Sequence, residues 1–189
     1  MTKATASVRI AHESILAAAQ AIAREKMQGL GARSAAKPNP EHNEKLDWNH
    51  LVEQAIATRR LVTNAEVQGA FAGTKFADDD PEALEKPQGA YLDLWVIDLG
   101  PPSVAAAVLE KDTLAQLQRF LAINPESEPI LVIDAGRHGL VTEEFIRNTS
   151  PDLLSAEQGG LPVALRDADL LIELKSDVPK GAALILRTD

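Results

Sequence analysis

Two short apolar runs constrain this chain more than anything else in it: Tyr91–Leu99 (YLDLWVIDL) and Pro129–Asp134 (PILVID). Runs of this length, rich in Val, Ile and Leu and bounded by Gly or Pro, are strand material, because a buried helix needs more residues and a bilayer span needs about 20. Between them Gly100-Pro101-Pro102 stops the first run, Ser103 is placed to cap an apolar helical stretch through Leu109, and Asp112 opens a helix. Leu114, Leu117, Phe120 and Leu121 form the buried stripe of that helix. Strand–helix–strand with a crossover of this length predicts a parallel pair with a right-handed connection. Farther on, Leu153–Gln158 and Leu161–Arg166 flank Gly159-Gly160 as an antiparallel hairpin, and Ala182–Arg187 (AALILR) supplies a closing strand. The expected fold class is α+β: a mixed sheet with a strand–helix–strand unit and a C-terminal antiparallel hairpin, plus an N-terminal helical arm.

The first third reads differently. Residues 11–30 are Ala-rich, with Ile15, Ala18, Ala19, Ile22 and Met27 at helical spacing and Gly29 and Gly31 at the end. Residues 32–46 carry Pro38 and Pro40, lack periodicity and read as a linker. The expected organisation is therefore an N-terminal helix over 1–31, a linker over 32–46 and an α+β domain over 47–189. Asp47 is placed to cap a helix over 48–57 with Leu51, Val52, Ala55 and Ile56 inward. Thr63-Asn64-Ala65-Glu66 has the form of a capping box, opening a short helix with Val67, Ala70 and Phe71 on one face. The run Asp78-Asp79-Asp80 lacks the alternating ligands, mid-loop Gly and distal Glu of a calcium loop, and reads as a solvated acidic loop.

Charge and composition narrow the chemistry. With 19 Lys+Arg against 28 Asp+Glu the net charge is −9, which repels phosphate backbones and anionic lipid, so nucleic acid is not an expected partner. No apolar run is long enough for direct membrane insertion, and no signal peptide opens the chain. The absence of Cys removes disulfides, zinc knuckles, iron–sulfur ligation and thiol nucleophiles together. Gly100-Pro101-Pro102-Ser103 lacks the glycine spacing of a phosphate cradle, and no Gly-x-Ser-x-Gly elbow exists. His12, His42, His50 and His138 form no i,i+4 ligand pair, so no metal site is expected. Asp134-Ala135-Gly136-Arg137-His138-Gly139 could offer Arg and His to an anion but serves equally as a hairpin turn. Trp48 and Trp95 fall where the pattern wants core residues.

Taken as an ordered series, the motifs resemble a known family. Thr2-Lys3-Ala4-Thr5-Ala6-Ser7, then Ile10 and Glu13-Ser14-Ile15-Leu16, resembles the end of an FMN-binding domain, where Ser-Gly-Ala-Thr-x-Thr/Ser precedes Ile-x-x-Ser-Ile-Leu. Leu46-Asp47-Trp48 through Leu61, Thr63–Val67 and Ala70-Phe71 resembles the segment that follows in NosR/NirI-type membrane flavoproteins. Tyr91–Val96 with Pro101-Pro102-Ser103-Val104 is similar to that family's strand and Pro-Pro-Thr-Ile turn. Phe145-Ile146-Arg147, Asp152, Gln158-Gly159, Pro162 and Arg166-Asp167-x-Asp169 keep the order of its Tyr-Val-Arg-Gly-Gly-Ile-Phe-Asp-Arg block and Phe-Arg-Asp-x-Asp ending. The chain departs from the family where Ala105-Ala106-Ala107 replaces Gly-Arg-Asn, Asn148–Pro151 replaces Gly-Gly-Ile-Phe and Lys3 replaces the motif Gly.

The resemblance implies a periplasmic, non-catalytic module that follows an FMN-binding domain and precedes membrane domains. It would support electron transfer to, or maturation of, nitrous-oxide reductase or a related respiratory enzyme. FMN is then expected in an upstream domain and no cofactor in this chain. Two alternatives stay open: Thr5 as a covalent FMN acceptor, matching the motif Thr, and a small-anion sensor using Arg137, Arg147 and Arg166. Arg147 and Arg166 keep the family's positions, and Asp152, Asp167 and Asp169 are their nearest acidic partners in sequence. The expectation is a structural ion pair, since a half-buried Arg needs a carboxylate.

Overall fold

A computed structural model describes residues 43–77, 79–158 and 161–188. The N-terminal helix, most of the expected linker, Thr5, His12 and His42 lie outside the described residues, as do Asp78 and the Gly159-Gly160 turn.

The described chain opens with α1 (Trp48–Glu53), where Asp47 accepts a hydrogen bond from His50 N at 3.0 Å as the sequence predicts. The helix stops four residues earlier than its apolar spacing suggests. Ile56 N donates to Leu51 O and Ala55 N to Val52 O, the two bonds of a Schellman stop, and Ala55 takes φ 55° in the left-handed region. Glycine usually occupies that position, and its absence hides the stop from the sequence. The chain leaves it as an unpredicted strand, β1 (Ala57–Thr63). Thr63 then forms the expected capping box with Glu66 and opens α2 (Asn64–Phe71). The short helix α3 (Pro81–Glu85) follows before β2 (Ala90–Asp98).

After β2 come α4 (Pro102–Val108), α5 (Lys111–Ile123) and β3 (Pro129–Asp134). Pro101, not Ser103, precedes α4, and Ser103 lies buried inside it. The remaining strands are β4 (Ala156–Gln158), β5 (Leu161–Val163), β6 (Leu165–Asp167) and β7 (Ala182–Thr188). β4 and β5 form the expected antiparallel pair, shorter than predicted, while β1-β2-β3-β7-β6 is one sheet with every pairing antiparallel.

The class is α+β, as read from the sequence, but the β2–β3 pair is antiparallel rather than parallel. The two expected helical stretches do connect these strands, but they return the chain to the end it left instead of carrying it across the sheet: Asp98 faces Ile130, and Leu99 N donates to Pro129 O at 2.9 Å. The break between the helices is itself anchored. Leu109 bridges Leu174, and Thr113, almost fully buried in α5, donates to Leu171 O and accepts from Glu173 N.

β3 is the middle strand, and its unbroken apolar run reflects cover on both faces. Ile97, Leu131, Ile133 and Ile185 point into a core with Val104, Val108 and Leu117 from α4 and α5. Across the sheet, Val132, Leu184 and Leu186 pack with Leu140, Leu165 and the flanking Val141 and Phe145. Trp48 and Trp95 are packing residues, as predicted, meeting edge to face with ring centroids 5.0 Å apart. Among the described residues no helix is long and apolar enough to cross a membrane.

Candidate functional site

The segment 64–89 is an excursion between two paired strands, and its base is tightly closed. Asn64 N donates to Gly89 O and Ala65 N to Pro87 O, while Asn64, 2% exposed, donates through Nδ2 to Lys86 O. Asp80 caps α3 by accepting from Ala83 N at 3.1 Å, with Pro81 at the first helical position. Arg137 reaches across from the end of β3. It donates through Nη1 to Asp80 Oδ1 at 2.9 Å and through Nη2 to both Asp80 Oδ2 and Asn64 Oδ1, and Glu82 lies 3.6 Å from Nη1. The guanidinium also lies over Tyr91, and the Tyr91 ring stands 4.1 Å from the His138 ring between centroids. These hydrogen bonds from Arg137 hold the Asp80 carboxyl at about 2 and raise Arg137 above its ordinary value.

The strand end that presents Arg137 is shaped by Asp134. Its buried carboxylate accepts from Asp93 N at 2.9 Å and Gly136 N at 2.8 Å. Gly136 runs so close to β2 that a Cβ there would fall 2.7 Å from Leu92 Cα, and a Cβ on Gly181 would run into the Asp134 carbonyl. Residues 134–139 are therefore no hairpin turn: the chain runs back along the start of β2, with Arg137 N and His138 N bonded to Tyr91 O. Nor is Asp80 part of a solvated acidic loop. The signal for it was the Asp-Pro step of a helix start, which an acidic run conceals.

A second constellation lies at 142–152. Both oxygens of Asp152 accept from Thr142 N, Thr142 Oγ1 donates to the same carboxylate, and the hydroxyl bond lowers the acid's pKa. Beside them is an open cleft of about 240 Å³ whose lining includes Glu144, Phe145, Ile146 and Thr149. Arg147 Nη1 stands 3.8 Å from Asp167 Oδ2 and 3.4 Å from Leu170 O, and Asp167, fully buried, also accepts from Asn148 N. The structure thus joins Arg147 to Asp167 but places Asp152 with Thr142, and Arg166 faces Arg187 across the β6–β7 pair. Asp169 occupies the left-handed region at φ 53°. The alanines that replace the family's Gly-Arg-Asn are packing groups: Ala105 and Ala107 are 3% and 2% exposed, and the Ala106 carbonyl accepts from Lys175 Nζ.

No protein-family model and no solved structure matches this chain. It is 25% identical over 176 residues to regulatory protein NosR of Stutzerimonas stutzeri, covering 90% of this chain and 24% of that protein. Protein NirI of Paracoccus denitrificans is 24% identical over 183 residues, 97% of this chain and 25% of its own length. Regulatory protein NosR of Pseudomonas aeruginosa is 21% identical over 174 residues, 88% of this chain and 24% of its own. The chain spans about a quarter of the length of these relatives. Similarity sustained over so much of its own length makes it a divergent relative of the NosR and NirI proteins.

Proposed function

We propose that this chain is a non-catalytic accessory module of a NosR-like flavoprotein, acting on the periplasmic side of the membrane in support of nitrous-oxide reduction or a related step of denitrification. The observation that carries this reading is the likeness to regulatory protein NosR along 90% of the chain. The geometry agrees with it. Arg137 is committed to Asp80, Asn64 and Glu82, and the Arg147–Asp167 pair ties a loop to β6, both being structural uses of arginine. The 142–152 cleft does not suit FMN, because Glu144 and Asp152 would meet its phosphate with like charge. On this reading a flavin belongs to another part of the assembly, and this module positions that part or docks a reductase.

Disruption of the gene in its host, followed by gas analysis during anaerobic growth on nitrate, tests the reading. Nitrous oxide is expected to accumulate and to fall again when the gene is restored; unchanged nitrous-oxide consumption would overturn it.

A further inference from the structure

Among the described residues of the excursion 64–89 only Asn64 and Ala83 are buried. Asn64 is the sole buried residue of α2, whereas Phe71 and Phe76 are 44% and 49% exposed and Leu84 is 53% exposed. Phe71 was expected to face inward with Val67 and Ala70; it points outward instead and meets Phe76 edge to face at 6.4 Å. Nor is the tip loosely tethered. Gly73 turns the chain at φ 77°, Thr74 N and Thr74 Oγ1 both donate to Phe71 O, and Phe76 N donates to Thr74 Oγ1. Below, Asn64 and the Arg137–Asp80 clamp fix the base. Two of the four Phe in the chain are thus held out on a braced projection, where burial in a partner would recover the apolar area left in water.

We propose that the Phe71–Phe76 tip is a docking knob for a protein whose receiving surface is an apolar pocket bordered by lysines or arginines. Charge selects this occupant. Residues 64–89 hold two Lys against six Asp and Glu; with Arg137 seated between Asp80 and Glu82 three acidic groups remain in excess, and Asp79 and Glu85 stand exposed. A second copy of a chain at −9 and an anionic membrane would both be repelled, whereas a basic rim around an apolar pocket is complementary. Aromatic anchors seated in such pockets commonly dominate binding. The inference rests on the accessory-module reading and names the surface through which the module would work.

Photo-crosslinking in the native host tests it, with p-benzoylphenylalanine placed at position 71 or 76 of the chromosomal gene and the adduct mapped by mass spectrometry. One protein adduct is expected, on a peptide carrying apolar residues beside Lys or Arg. With the photoreactive group at position 75, Phe71→Ser/Phe76→Ser should cut the yield roughly tenfold or more, and Asp79→Lys/Glu85→Lys should also lower it. The melting temperature should stay close to the parent's in both variants. Adducts to lipid, to a second copy or to an acidic surface would overturn the proposal, as would no adduct or a collapse of folding in the serine variant. Failure of the knob is distinguishable from failure of the module reading: in the first case the serine variant still restores nitrous-oxide consumption, and in the second the gene disruption itself has no phenotype.

Discussion

On the side of the sheet that carries α4 and α5, Leu131, Ile133 and Ile97 are closed off from water, whereas on the other side of the same strands Val96 is 37% exposed and Leu94 only half-buried. The difference follows from what the connections contribute. The largely buried α4 and the amphipathic α5 lie over the first side, while the second is covered by the loop-rich 140–156 segment, which packs over β3, β7 and β6 and leaves β1 and β2 partly open. Adjacent residues of one strand therefore sit in unequal environments, and a single-strand alternation in sequence carries unequal energetic weight.

The strongest way to break this contrast is at Gly181. A methyl group there collides with the Asp134 backbone where β3 and β7 meet, so Gly181→Ala should destabilise by more than about 4 kcal/mol or prevent folding, as read by denaturant unfolding. Next, Leu131→Ala should cost about 2–5 kcal/mol and Val96→Ala well under about 1 kcal/mol. Comparable losses at both positions would show that the open side is covered as well. Arg137→Ala should leave the helical side intact but loosen the excursion, so tryptic cleavage at Lys75 should quicken several-fold while Arg147→Ala leaves that rate unchanged.

The clamp also has an acid limit. The Asp80 carboxyl falls from its ordinary 3.8 to about 2 in the fold, so its pairing contributes fully above about pH 4 and is lost as the pH drops through about 2. Carbon-detected NMR of the carboxyl should place its titration there in the parent and back in the ordinary carboxylate range in Arg137→Ala. Smaller still, Ala55→Gly should stabilise by about 0.5–1 kcal/mol by relieving the left-handed alanine. Asp79→Asn, on the exposed rim, should stay within about 0.5 kcal/mol of the parent.

Local signals survived into the structure where neighbours in sequence make the contacts. The capping box at Thr63 and the apolar runs of β2 and β3 were legible because their partners are three residues away or because burial shows as composition. β1 was not, since Arg59 and Arg60 sit in an edge strand and Arg59 is paired with Asp93, 34 positions on, at 2.6 and 2.8 Å. The two helices between β2 and β3 were legible, but the sense of the pair was not, since the break between them is anchored by Leu174, Leu171 and Glu173, about 60 positions on. The clamp joins positions 57 and 73 apart, a separation that no periodicity records.

The position of β7 has a consequence for synthesis. It is formed by residues 182–188, yet it lies inside the sheet, between β3 and β6. Until those residues leave the ribosome, the middle strand has one edge with unmet backbone donors and acceptors and an apolar side chain on each face, the kind of edge that recruits other chains. A nascent or truncated polypeptide ending before residue 182 should therefore depend on a chaperone, however complete its helices and the pairing of β1, β2 and β3 already are.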